Sequence, residues 1–286
     1  MTNCIEIKGL CKSYGDFALK NIDLTLPGGS ILGLIGENGA GKTTTIKCIL
    51  NLIRRDAGEI SLLGYDNVRE EQLAKQDIGL VLDECFFHYT LRPLDVGKIL
   101  APAYREWDQK LFRDYLGKFG LPEKKLIKEF SRGMKMKLSL SAALAHRPKL
   151  LILDEATAGL DPVVRDEILD EFLGFIQDED HAILMSSHIT SDLEKVADYI
   201  AYIHQGEVVL SDAKDNILDS CGRVGCTAAQ LETIDRADVL RTRKGAFGCE
   251  ALVADRAAFS RKYPMLLVER TTLEDIMLFV GKGEEK

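Results

Sequence analysis

No uninterrupted apolar stretch in the sequence approaches the ~20 residues that a membrane-crossing helix needs, so any work at a membrane is expected to go through a partner. An excess of positive charge is also missing. Lys and Arg number 37 against 45 Asp and Glu, a net charge of -8 that repels polyanions and argues against nucleic acid as the partner. The seven cysteines are odd in number and scattered. Cys221 and Cys226, the closest pair, have no second pair to complete a zinc site, so reduced thiols are expected. The opening residues, Met-Thr-Asn-Cys-Ile-Glu, lack the basic and then apolar pattern of a secretory leader. What is present is an ordinary globular composition, 46% hydrophobic over 286 residues, enough for one large core and a smaller one.

Apolar and polar residues alternate over residues 4–8 and again over 22–26, before the Pro27-Gly28-Gly29 turn, which predicts an antiparallel pair of strands. Residues 31–35 form a short apolar run ending in glycine. From 42 to 53, Ile46, Ile49, Leu50 and Ile53 then fall on one helix face. Strand patterns stop between about 91 and 131, where two helical stretches, 94–104 and 109–119, predict a helical insertion at about 88–135. Strands resume at 150–153 and 182–186 with a helix over 163–177 between them, the pattern of a parallel sheet with crossover helices. Residues 1–211 are therefore expected to form one α/β domain. Beyond about 211 the order becomes strand 223–227, helix 228–234, strands 239–243 and 250–253 around a glycine turn, helix 256–263 and strand 266–269. A capped terminal helix over 272–280 follows. That split βαβ order predicts a small α+β accessory domain over 212–286, ferredoxin-like in its sequence of elements.

Gly36-Glu37-Asn38-Gly39-Ala40-Gly41-Lys42-Thr43, followed by Thr44, fits the pattern G-x-x-x-x-G-K-S/T. In such a loop backbone N–H groups wrap phosphates, the lysine reaches the β and γ phosphates and the hydroxyl binds Mg2+. A glycine-rich turn before a helix competes with this reading, but the expected strand before and helix after are the context a phosphate cradle requires. Residues 150–155 are an apolar strand closed by Asp154 and Glu155, and a strand buried on both faces delivers them to the C-terminal edge where ligands sit. Asp154 is then the Mg2+ residue and Glu155 the one that polarises the attacking water. Taken alone, a buried strand with an acidic turn explains the pair equally well; beside the phosphate loop, the catalytic explanation prevails.

With these motifs in place, the chain from about residue 5 to 210 resembles the ABC (ATP-binding cassette) ATPases, whose further motifs follow in that family's order. Phe130-Ser131-Arg132-Gly133-Met134 is similar to the family signature Leu-Ser-Gly-Gly-Gln, with Ser131 and Gly133 kept, although a capped helix alone accounts for it too. Asp161, in Gly159-Leu160-Asp161-Pro162, resembles the D-loop residue that communicates between two nucleotide sites, and His188 the switch histidine at the γ phosphate. Tyr14 stands where the family places an adenine-stacking aromatic, against the alternative of a strand-end tyrosine packed on the core. At the Q-loop the usual glutamine is replaced by Asp83, a carboxylate competent toward a hard cation. The apolar stretch Cys85-Phe86-Phe87-His88-Tyr89 is either folded into the insertion or exposed as the surface on which the family's membrane partner docks a short helix. The basic run from Lys124 to Lys137 reads as a solvated helix face.

The resemblance implies a P-loop NTPase core with an antiparallel β subdomain and a helical insertion, an ATPase using ATP and Mg2+. It further implies a head-to-tail homodimer in which the signature of one subunit completes the site of the other, and a separately encoded transmembrane permease that holds it at the cytoplasmic face of the membrane. The single cassette, short C-terminal domain, Ser-x-Gly-Met signature and acidic Q-loop resemble bacterial exporter ATPases, including those that expel antimicrobial or amphipathic peptides. A soluble ABC protein without a membrane partner, or a regulatory nucleotide-binding module, are the competing functions. The first usually has two cassettes or a long coiled-coil insertion, and the second is disfavoured by Glu155.

Overall fold

The computed structural model describes residues 2–245 and 248–283; residues 246–247, inside the expected glycine turn, and 284–286, at the end of the expected accessory domain, lie outside the described residues. Strands β1 (Asn3–Tyr14) and β2 (Phe17–Pro27) form an antiparallel hairpin, and β3 (Ser30–Ile35) runs through the glycine loop into α1 (Lys42–Ile49). β4 (Ala57–Leu62) and β5 (Tyr65–Asp66) return to the hairpin and complete a four-stranded sheet in the order β2-β1-β4-β5. α2 (Glu71–Gln76) leads to β6 (Ile78–Val81), after which α3 (Pro93–Leu100), α4 (Gln109–Lys118) and α5 (Arg132–Leu144) form the helical insertion. β7 (Leu150–Asp154), α6 (Pro162–Phe175), β8 (Ala182–Ser187), α7 (Thr190–Val196), β9 (Tyr199–His204) and β10 (Glu207–Ala213) close the larger part of the chain.

The central sheet has six strands in the order β10-β9-β3-β8-β7-β6, parallel except for β10. Strands β3, β7 and β8 are buried along their whole length and mostly apolar because both faces are covered, as parallel sheets require. Side chains alternate between the faces: Leu150 and Ile152 join Ile46 and Ile49 of α1 and the hairpin in one core cluster. Leu151 and Leu153 join Met136, Leu140 and Phe172 of α5 and α6 in the other.

The chain continues through α8 (Lys214–Ser220), β11 (Gly222–Cys226), α9 (Ala228–Thr233), β12 (Arg241–Gly245), β13 (Gly248–Val253), α10 (Arg256–Lys262), β14 (Val268–Arg270) and α11 (Leu273–Lys282). This antiparallel sheet has the order β12-β13-β11-β14, the arrangement its split βαβ sequence predicts. One face packs Val224, Ala251 and Val253 on Phe259 of α10. Leu252, pointing the other way, shares a core with Leu273, Ile276 and Phe279 of α11 and with Leu193, Val196 and Tyr202 of the larger part. Two hydrogen bonds fix α11 there: Tyr202 Oη donates to the Met277 carbonyl at 3.2 Å, and Leu273 N–H donates to Glu194 Oε1 at 2.9 Å. Burial, and secondarily the charge of Glu37, pushes the Tyr202 phenol up to about 12.

Sequence periodicity placed some boundaries wrongly. The helix expected over 42–53 ends at Ile49 because Asn51 turns the chain with φ 52°, and that expected over 94–104 ends at Leu100. β9 and β10, with β4 and β5, were not anticipated, and β1 runs from Asn3 to Tyr14 rather than over 4–8. The shared core of α11 has a measurable consequence. Phe279→Ala empties a fully buried site and should cost about 3–5 kcal/mol in urea unfolding of the whole chain. A cost under about 1 kcal/mol would mean that α11 does not share that core.

Candidate functional site

Packing dictates the path of the glycine loop. A Cβ on Gly36 would lie 2.4 Å from the Ile203 carbonyl oxygen, and one on Gly41, at φ 120°, 2.6 Å from Leu19 Cδ2, so both positions require glycine. Glu37, Asn38 and Gly39 are exposed at the tip, whereas Ala40 is buried and its carbonyl accepts from Gly206 N–H at 2.9 Å. The buried Lys42 donates from Nζ to the carbonyls of Gly36 at 2.7 Å and Glu37 at 3.3 Å. Thr43 donates its hydroxyl to Asp154 Oδ2 at 2.9 Å, with Thr44 beside it, half-buried, in the first turn of α1.

Asp154 and Glu155 sit at the C-terminal end of β7, beside β8. Ser186 of β8 donates from Oγ to Asp154 Oδ1 at 2.5 Å, while its Oγ and carbonyl both accept from Glu155 N–H, at 3.1 and 3.2 Å. These bonds hold Glu155 at φ 53°, a strained left-handed conformation for a non-glycine residue of the kind that clusters at functional sites. His188 Nδ1 donates to Glu155 Oε2 at 2.6 Å; the tautomer follows from the carboxylate being an acceptor. Glu155 Oε1 is buried, lies 3.4 Å from Lys42 Nζ and has no hydrogen-bond partner among the described residues.

The structure thus brings Lys42, Thr43, Asp154, Glu155 and His188 into one cluster. A second cluster holds Ser131, Gly133 and Asp161. Ser131 caps α5, accepting from Met134 N–H at 3.2 Å, and Asp161 caps α6, accepting from Val164 N–H at 3.1 Å. A Cβ on Gly133 would meet Val164 at 3.3 Å, and one on Gly159 would meet the Arg132 guanidinium at 3.3 Å, so signature and D-loop are in contact. Among the described residues no hydrogen bond or ion pair joins this cluster to the phosphate loop. Tyr14, 46% exposed, ends β1 with Lys12 Nζ 5.1 Å from its ring centroid, so it is not packed in the core. Asp83, exposed just past β6, lies one strand from Asp154 without a hydrogen bond or ion pair to it.

Ser186 is the member of the site that sequence reasoning missed. Its signal was the polar pair Ser186-Ser187 closing an apolar strand next to His188.

A parallel sheet carrying a glycine phosphate loop after one strand and an acidic pair after another defines a P-loop nucleoside triphosphatase. The chain belongs to the ABC transporter family, whose sequence model matches residues 19–158, and it is an ATPase of that family. It is 35% identical to the lantibiotic transport ATP-binding protein SrtF of Streptococcus pyogenes over 214 residues, 74% of this chain and 91% of that one. Identity is 36% to the linearmycin resistance ATP-binding protein LnrL of Bacillus subtilis over 77% of this chain and 72% of that one. It is 33% to the bacitracin transport ATP-binding protein BcrA of Bacillus licheniformis, over 73% and 69%. Among solved structures, an ATP-binding subunit of an ABC transporter superposes with a TM-score of 0.69 at 27% identity, over 75% of this chain and 91% of that one.

Ser186→Ala removes the hydroxyl that bridges Asp154 and Glu155. Steady-state ATP hydrolysis should fall about tenfold at saturating ATP, the effect of losing a hydrogen bond to a charged group. Unchanged turnover would show that Ser186 does not position the acidic pair.

Proposed function

We propose that the protein is the ATP-hydrolysing subunit of an exporter of antimicrobial or amphipathic peptides. It works as a head-to-tail homodimer at the cytoplasmic face of a membrane, beneath a separately encoded transmembrane permease. The observation that carries the hydrolytic part is the Lys42–Glu155–His188 cluster next to Thr43 and Asp154. Amides of residues 36–44 at the start of α1 cradle the phosphates, Lys42 neutralises the β and γ oxygens, and the exposed ring of Tyr14 stacks on adenine. The unbonded Glu155 Oε1 accepts a hydrogen bond from the attacking water and takes its proton as the γ phosphoryl group leaves ADP. His188 holds the other carboxylate oxygen of Glu155, beside the γ phosphate.

Thr43 Oγ1 and Asp154 Oδ2 are adjacent hard oxygens of the kind Mg2+ selects, with Asp83 as a further carboxylate one strand away. Among the described residues no group of three or more His, Cys, Asp or Glu can hold a metal, so these two need the oxygens of the nucleotide and water to complete a shell. When bound, Mg2+ supplies charge neutralisation of the phosphates.

Separation of the two clusters supports the dimer. Among the described residues Ser131, Gly133 and Asp161 make no hydrogen bond or ion pair with their own phosphate loop, and a second copy turned head to tail is what uses them. Residues 1–211 are taken as the ATPase domain and 212–286 as an accessory domain for dimer support or regulation. No described helix is long and apolar enough to cross a membrane, in keeping with a separate permease.

For the permease contact, Phe86 is 72% exposed at the rim of a groove of about 240 Å3 shared with Phe87, Leu100, Tyr104 and His146. Cys85 and Phe87 pack on the core, so the apolar stretch is part docking surface and part structure. Tyr89 lies under Lys135 Nζ, 4.7 Å from its ring centroid, which straps this loop to the helix that Ser131 caps. Peptide cargo is supported by the lantibiotic and bacitracin transport named for SrtF and BcrA.

Glu155→Gln should bind ATP normally yet lose at least about a hundredfold in turnover, accumulating an ATP-dependent dimer on gel filtration, while Lys42→Ala loses nucleotide affinity. Near-wild-type hydrolysis by the Gln variant would remove Glu155 from its role. Phe86→Ser should keep basal ATPase while losing co-purification with the permease; retained co-purification would place docking elsewhere.

A further inference from the structure

The cluster at the end of β7 and the start of α7 are joined twice, once directly and once by a longer route. Directly, His188 and Glu155 share the 2.6 Å hydrogen bond. The longer route begins at Glu155, whose carbonyl accepts from Ala158 N–H at 3.1 Å as the chain turns through residues 156–160, where Ala156, Thr157 and Leu160 are buried. It continues at Leu160, whose carbonyl oxygen accepts from Arg165 Nη2 at 3.3 Å. The same guanidinium presents Nη1 to Asp192 Oδ1 at 3.8 Å, and Asp192 stands in the first turn of α7, four residues after His188.

Asp192 is almost wholly buried, and a buried carboxylate requires a counter-charge. Among the described residues the cation paired with it is Arg165. Neither group is saturated, since Asp192 Oδ2 and Arg165 Nε are buried without hydrogen-bond partners. The buried Asp192, met by a half-buried Arg165, distinguishes this contact from Lys195 with Asp166 and Asp170, which joins the same two helices at the exposed surface where ion pairs contribute little.

We propose that Arg165 is a positioning residue. Its planar fork ties the Leu160 carbonyl of the D-loop to Asp192 of α7, and so sets the separation between Glu155 and His188 from outside the site. It rests on the hydrolytic role given above to that pair. A guanidinium suits the task because its charge is spread over a rigid plane, so one nitrogen donates to the carbonyl while another faces the carboxylate as an ion pair. A lysine at the same position supplies the charge but a single centre, and cannot hold both.

The test is Arg165→Lys, which keeps the counter-charge for Asp192 and so protects the fold while releasing the D-loop. Amide hydrogen exchange over residues 157–161 should quicken about tenfold with the unfolding midpoint unchanged. Turnover should fall about tenfold with KM for ATP unaltered. Asp192→Asn serves as the second variant: it should lower turnover by a similar factor, and the double variant should be no worse than either single one. Wild-type exchange over 157–161 in the Lys variant, or additive losses in the double variant, overturns the proposal. Should the unaltered chain hydrolyse no ATP, the hydrolytic reading falls instead, and the exchange measurement still decides whether Arg165 tethers the loop.

Discussion

Thr43 and Asp154 meet at 2.9 Å, 111 residues apart in sequence, and that contact exists because three parallel strands are held in register. Ile35 of β3 lies opposite Ser187 of β8, and Ser186 lies opposite Asp154 of β7, so the loops leaving β3, β7 and β8 start from one level. The phosphate loop, the acidic pair and the histidine are therefore consequences of a single sheet edge. Register in turn is fixed by which face each residue presents. Slipping β7 by one residue would exchange Ile152, packed toward α1, with Leu153, packed toward the insertion, and would move Asp154 away from Thr43.

Strain at Glu155 belongs to the same arrangement. Its left-handed backbone is stabilised by two acceptors on Ser186, and the result is a carboxylate with one oxygen on His188 and the other facing Lys42. A backbone in the ordinary extended conformation would have turned that side chain to the face of the sheet opposite the one Asp154 presents.

Legibility in the sequence followed the range of the interactions. The glycine loop, the apolar strand ending in Asp154 and Glu155, and the helices capped by Ser131 and Asp161 are local patterns, and each stands where reading predicted it. The split βαβ order of the C-terminal sheet was legible for the same reason, since its strands are separated by turn chemistry and a capping Thr227. Ser186 was not, because a serine in an apolar strand looks like any other until its neighbour across the sheet is known. Arg165 and Asp192 are, in the sequence, one basic and one acidic residue among many, with no local pattern to pair them. In the 85–89 stretch no periodicity tells Phe87, packed inward, from Phe86, left outside.

The C-terminal sheet is not an appendage hung on a linker, because α11 completes the core beneath Tyr202 and reaches the phosphate loop itself. Gly281 lies against the loop so closely that a Cβ there would fall 2.0 Å from Glu37 Oε1 and 2.8 Å from its Cδ. What occupies that space is the tip of a flexible side chain rather than backbone. The last described turn of α11 therefore bears on the glycine loop through the Glu37 carboxylate and not through the loop's backbone.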